Sequence, residues 1–246
     1  LDSRNRSRIQ IFNRQKDNAS GPFFLRKLRL HYATIEPGSP ICNNHCFNPH
    51  DRGASVADTS ESPIAAKPVQ RILAAAQFAA EKHAGQKRKG AAQEPYVNHV
   101  IEVARLVADS SSTLDTELIM ACFLHDVVED TEVTPQEVAL RFGSDVASLV
   151  AEVTDDKSLP REARKALQIT SAPKKSLRAQ ALKLADKISN LRSILASPPA
   201  DWTLERRRQY FDWARQVIDG LSSPNPLLKA EFDRVYASFD QHSHKT

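Results

Sequence analysis

From Lys67 to Phe239, apolar side chains recur at intervals of three and four residues, and no segment shows the alternating Val, Ile and Thr pattern of a half-buried strand. This property restricts the region to an all-α fold, because a 3.6-residue period buries one face of a helix and cannot keep one face of a sheet apolar. The pattern predicts helices over 68–84, 96–108, 115–129, 134–142, 144–155, 160–170, 174–195, 203–221 and 227–239. Thr134-Pro135 and Ser158-Leu159-Pro160 read as helix entries, since proline is tolerated in a first turn whose amides lack partners.

Residues 1–66 differ in character. Arg, Asn, Ser, Pro and Gly are scattered without a sustained period, and the stretch 51–66 is nearly all small or polar, so an N-terminal extension with little order is expected there. Residues 67–246 are expected to form one helical bundle domain. The first residue is Leu1 and the only methionine is Met120, which fits a non-AUG start or a trimmed terminus equally. No apolar stretch reaches the roughly 18 residues of a membrane span, and no secretory pattern stands near the start. Three cysteines, at 42, 46 and 122, do not make a disulfide framework. These features lead to the expectation of a cytoplasmic protein. The net charge of +4 does not by itself choose between small anions and nucleic acid. No recognition helix or aromatic-basic surface favours nucleic acid.

The densest chemistry lies in His125-Asp126-Val127-Val128-Glu129-Asp130-Thr131, directly after the apolar run that includes Leu118, Ile119 and Leu124. On a helix, His125 with Glu129 and Asp126 with Asp130 are four apart, so three carboxylates crowd one imidazole. A divalent cation or a shared proton would relieve that repulsion. His99 and Asp186 are the best candidates for further ligands. Asp186 sits among Ala181, Leu184, Ala185, Ile188 and Leu191, on a face that a helix would bury. Taken singly, each residue also has a structural reading: a hydrogen-bonded helix-end pair, a helix-face histidine, or an acid solvated between two lysines. Two imidazoles and two carboxylates suit Mn²⁺, Fe²⁺ or Zn²⁺ alike.

In order along the chain, His99, His125-Asp126 and Asp186 resemble the H…HD…D pattern of HD-domain metal-dependent phosphohydrolases. The flanking blocks narrow the resemblance. Arg88-Lys89 before Pro95-Tyr96-Val97-Asn98-His99, the acidic block itself, Phe142-Gly143 through Val153-Thr154, and Lys183-Leu184-Ala185-Asp186-Lys187 through Asn190-Leu191-Arg192 are similar to the hydrolase half of RelA/SpoT proteins. The single-domain small alarmone hydrolases are the nearest type.

The resemblance implies Mn²⁺-dependent removal of the 3′-pyrophosphate from ppGpp and pppGpp. It implies metal ligation by His99, His125, Asp126 and Asp186, and activation of water by Glu129 and Asp130. It also implies substrate contacts from Arg88, Lys89, Arg161, Asn190, Arg206 and Tyr210. Arg206 lies in an Arg206-Arg207-Arg208 run that could equally be a solvated face, and Tyr210 is flanked by Phe211 and Trp213, as a core residue would be. Ser189 stands where the family has a ring such as His or Tyr, which predicts an altered wall of the nucleotide pocket. The animal relatives are also associated with removal of the 2′-phosphate from NADPH. A catalytically silent alarmone-binding module is the other rival, and its expected mark would be loss of a ligand or of the Glu-Asp pair. Cys42, His45, Cys46 and His50 form only a poor zinc pattern. A homo-oligomer is left open.

Overall fold

The structure is a computed structural model and describes residues 67–243. The expected N-terminal extension, with its Cys42–His50 cluster, lies outside the described residues.

Regular structure among the described residues is helical, apart from one isolated antiparallel bridge between Lys87 and Pro95. The helices are α1 (Pro68–Lys82), α2 (Val97–Asp109), α3 (Thr116–Leu124), α4 (Val127–Asp130), α5 (Pro135–Phe142), α6 (Ser144–Val153), α7 (Arg161–Ser171), α8 (Leu177–Ala196), α9 (Leu204–Asp219) and α10 (Pro226–Ser243). A 3-10 turn, Ala172–Lys174, follows α7. No helix among these residues is long and apolar enough to cross a membrane.

Two helices form the inside. α3 is apolar almost all round and packs on α1, α2 and α6, while α8 is buried without a break from Ala179 to Ser189 and packs on α2, α6 and α10. A helix apolar on every side has no face to give to water, so such segments take the centre of a bundle. Entry points are fixed chemically. Asp115, Thr134, Ser176 and Thr203 each accept a hydrogen bond from an amide of the first turn of α3, α5, α8 and α9, which satisfies a donor that the helix cannot. Asp115 also receives both arms of Arg178, at 2.8 and 2.6 Å, and so pins the start of α8 to the start of α3.

The single helix expected over 115–129 is in fact two. α3 stops at Leu124, and α4 starts at Val127, with Asp126 at φ −102°, ψ −5° between them. A continuous helix would send neighbouring side chains about 100° apart. The break instead lets His125 and Asp126 converge, with Nε2 and Oδ2 at 3.0 Å.

The loop between α1 and α2 is held down on the end of α8. Ala92 N donates to Ser197 Oγ at 2.8 Å, and Ala91 N donates to the Pro198 carbonyl at 3.2 Å. Gly90 makes this approach possible, because a Cβ there would lie 2.2 Å from the Ser197 carbonyl oxygen. Gly90→Ala must therefore move the loop that carries Arg88 and Lys89. The expected result is a lower thermal unfolding midpoint, corresponding to a loss of about 1–3 kcal/mol, measured by calorimetry.

Candidate metal centre

Four side chains from three stretches of chain meet at one point: His99 from α2, His125 and Asp126 from the α3–α4 break, and Asp186 from the middle of α8. His99 Nε2 lies 3.5 Å from Asp126 Oδ2 and 3.4 Å from Asp186 Oδ1; His125 Nε2 lies 3.0 and 3.9 Å from the same two oxygens. Donor atoms bound at about 2.0–2.2 Å around one ion sit roughly 3–3.5 Å apart, so the spacing is that of a shared cation. Ligand atoms of His99, His125 and Asp186 fall within 4.8 Å of one another, and Asp126 joins through its contacts with both rings.

The hydrogen bonds behind the rings decide which nitrogen faces inward. His125 Nδ1 is 2.8 Å from the Cys122 carbonyl, which can only accept, so Nδ1 carries a hydrogen. Its Nε2 is buried without a hydrogen-bond partner, being out of line with the neighbouring Asp126 oxygen despite the short distance. A buried ring nitrogen left in this way, aimed at two carboxylates, fits a metal ligand. Burial alone would lower the His125 pKa, but Asp126 and then Asp186 outweigh it and hold the ring up at about 9. The same carboxylates that draw a proton to Nε2 would draw a metal.

Asp186 is buried between Lys187, whose Nζ donates to Oδ2 at 3.1 Å, and Asn190, whose Nδ2 donates to Oδ1 at 2.6 Å. Burial raises its pKa, but Lys187 and the two imidazoles more than reverse that and keep it ionised. Asp126 accepts the Tyr96 phenol at 2.5 Å. Burial and Asp126 push the Tyr96 pKa upward, so the phenol keeps its hydrogen and remains the donor.

A cavity of about 640 Å³ opens in front of this cluster, within the size range of small-ligand pockets. Glu129 lines it, with Oε2 accepting from Asp155 N at 3.2 Å and Oε1 3.7 Å from Arg164. Burial, against a lowering contribution from the Asp155 amide, lifts the Glu129 carboxyl above its usual value. Asp130 is more exposed and receives Lys157 Nζ at 2.6 Å. Arg88 donates to Asn190 Oδ1 at 3.0 Å on the opposite wall, and Lys89, Arg161 and Tyr210 complete that part of the lining. Tyr210 is half-buried between Trp202 and Trp213 and still faces the cavity.

Two sequence expectations meet a different geometry. Arg206 does not line this cavity; it lies over the Trp202 ring, 3.4 Å from Asp201, in a smaller adjoining cleft. Ser189 is not a pocket wall either. It is 1% exposed and sits behind His99, because its position on α8 faces α2 rather than the cavity. The structure also adds Tyr96, Lys183 and Lys187, which the sequence reading left as flanking residues. Tyr96 stands three residues before His99, and Lys183 and Lys187 are four apart astride Asp186 in an apolar helix. Helical spacing was the available signal for all three. Lys183 and Lys187 are buried rather than solvating Asp186, and Lys183 is drawn down to about 8 by burial and by Lys187.

Residues 75–210 match the HD domain family, over half of the chain. The chain belongs to the HD-domain family. Among HD-domain relatives, the Drosophila melanogaster protein named guanosine-3′,5′-bis(diphosphate) 3′-pyrophosphohydrolase MESH1 is 46% identical over 173 residues, 70% of this chain and 97% of that protein. The Homo sapiens MESH1 is 45% identical over 166 residues, 68% of this chain and 93% of its own length. A solved structure, described as a metazoan orthologue of SpoT that hydrolyses ppGpp, superposes with a TM-score of 0.67 at 45% identity. It covers 71% of this chain and 98% of that one. The matching region of this chain thus spans nearly the whole length of these two MESH1 proteins.

Proposed function

We propose that this chain is a metal-dependent guanosine-3′,5′-bis(diphosphate) 3′-pyrophosphohydrolase, releasing pyrophosphate from ppGpp and pppGpp to leave GDP and GTP. The observation that carries this reading is the convergence of His99, His125, Asp126 and Asp186 beside Glu129, in a cavity lined by cations, in a chain 46% identical to a protein of that name. His99, His125, Asp126 and Asp186 would hold the metal, with Mn²⁺ the proposed ion. When bound, such a cation supplies Lewis acidity towards phosphate oxygens and acidifies water.

The rest belongs to the protein's own side chains. Glu129, its carboxyl raised above its usual value chiefly by burial, takes a proton from the attacking water. Asp130, held by Lys157, orients that water. The water oxygen bonds to the phosphorus carried by the ribose 3′-oxygen, the bond between them breaks, and the 3′-oxygen gains a proton as pyrophosphate departs. Arg164, Lys183 and Lys187 line the cavity and offset the charge of the departing group. Arg88 presents a guanidinium plane that a base can stack on, with Asn190 bonded to it.

Turnover in ¹⁸O-labelled water tests this chemistry: the label should appear in pyrophosphate and not in GDP. Label found in the nucleoside would contradict attack at phosphorus.

Metal affinity should depend on pH with a defined sign. In the metal-free protein a proton on His125 occupies the position a metal would take, and its pKa there is about 9 against 6.5 in a free side chain. Mn²⁺ binding is therefore expected to strengthen as pH rises, by up to about tenfold per unit, and to level near 9, in titrations followed by the free-ion resonance. A pH-independent affinity would contradict ligation by His125.

A further inference from the structure

The side of His99 that faces away from the metal cluster meets a chain of groups that the reaction does not use. His99 Nδ1 lies 2.9 Å from Ser189 Oγ, Ser189 Oγ donates to Glu102 Oε2 at 2.6 Å, and Arg192 donates to Glu102 Oε1 at 2.6 Å. The register is helical on both sides. His99 and Glu102 are three apart on α2, and Ser189 and Arg192 are three apart on α8, so the two pairs face each other rung by rung.

A hydroxyl has one hydrogen to give. Ser189 spends its hydrogen on the Glu102 carboxylate, so towards His99 it can only accept, and the ring hydrogen of His99 must sit on Nδ1. Nε2 is then left with its lone pair, pointing at Asp126 and Asp186. With the hydroxyl free to turn, the other tautomer, with hydrogen on Nε2, would compete and block the ligand atom. Arg192 fixes the carboxylate that prevents this, and its second arm is held by Glu231 at 2.5 Å.

We propose that Ser189 and Glu102 are positioning residues that set the tautomer and orientation of His99 for metal binding. This inference rests on the metal reading above and not on the identity of the substrate. Outer contacts to ligating imidazoles typically contribute 10- to 100-fold in metal affinity, and the same scale is expected here.

The test is Mn²⁺ alone titrated into full-length protein, with thermal unfolding of the metal-free forms as control. Ser189→Ala keeps a strong helix former inside α8 and should fold normally. It is expected to weaken Mn²⁺ binding about 10- to 100-fold in a metal-free form that still unfolds cooperatively, its midpoint lowered by the loss of one buried hydrogen-bond partner. Glu102→Ala should weaken it on the same scale, and the double variant should be no worse than Ser189→Ala, because both act through one hydrogen. Parental Mn²⁺ affinity in Ser189→Ala, or losses that multiply in the double variant, would overturn the proposal. A parent chain that fails to bind Mn²⁺ would overturn it together with the metal reading. Mn²⁺ binding that follows the expected series in a chain inactive on ppGpp would support it and contradict only the proposed activity.

Discussion

Glu129→Gln protein is expected to bind Mn²⁺ as tightly as the parent chain and to turn over ppGpp about 10²–10⁴-fold more slowly, the usual worth of a positioned general base. The substitution preserves shape. An amide oxygen can still accept from Asp155 N, so the loop carrying Asp155 stays in place and only the proton-accepting capacity is lost. The pH profile separates the two roles. Burial raises the Glu129 carboxyl, so the parent enzyme should lose activity on acidification at a pH above the usual carboxylate value of 4.5, and the variant's residual rate should lack that limb. Full activity in Glu129→Gln would remove the assigned role.

His125→Ala should abolish both metal retention and turnover, and rescue by added Mn²⁺ should fail. Three things go at once: a ligand, the partner of the Cys122 carbonyl, and an imidazole 3.0 Å from Asp126 and 3.9 Å from Asp186. Leaving the Cys122 carbonyl without its ring donor inside the bundle should cost about 1–3 kcal/mol of stability, read from denaturant unfolding of the metal-free forms. Metal analysis of purified protein distinguishes this from Glu129→Gln, which should retain its ion.

Much of this arrangement was legible in the sequence because it rests on periodicity. The helical period from Lys67 onward fixed the class, and the apolar surroundings of Asp186 indicated that its carboxylate would be carried inward, as the burial of α8 shows. The break between α3 and α4 was not legible. Leu118 to Glu129 reads as one continuous helix, and only the packed structure shows His125 and Asp126 turned towards one another. The spacing of Lys183 and Lys187 about Asp186 leaves a solvated and a buried acid both open, because lysine usually reaches water, and their burial depends on α8 being covered from several sides. Arg206 failed to reach the main cavity for a local reason: stacked on Trp202 and drawn to Asp201, it turns into the neighbouring cleft. Ser189 was misplaced because a comparison of side-chain size says nothing of direction. Its partners, His99 and Glu102, come from another helix, and no spacing within α8 reveals them.

Turnover by protein stripped with chelator and reloaded with Mn²⁺, given ppGpp and NADPH in parallel with pyrophosphate and orthophosphate followed separately, decides the proposed activity. Pyrophosphate and GDP from ppGpp are expected. Orthophosphate from NADPH alone, or no turnover of either nucleotide with metal bound, would contradict that activity.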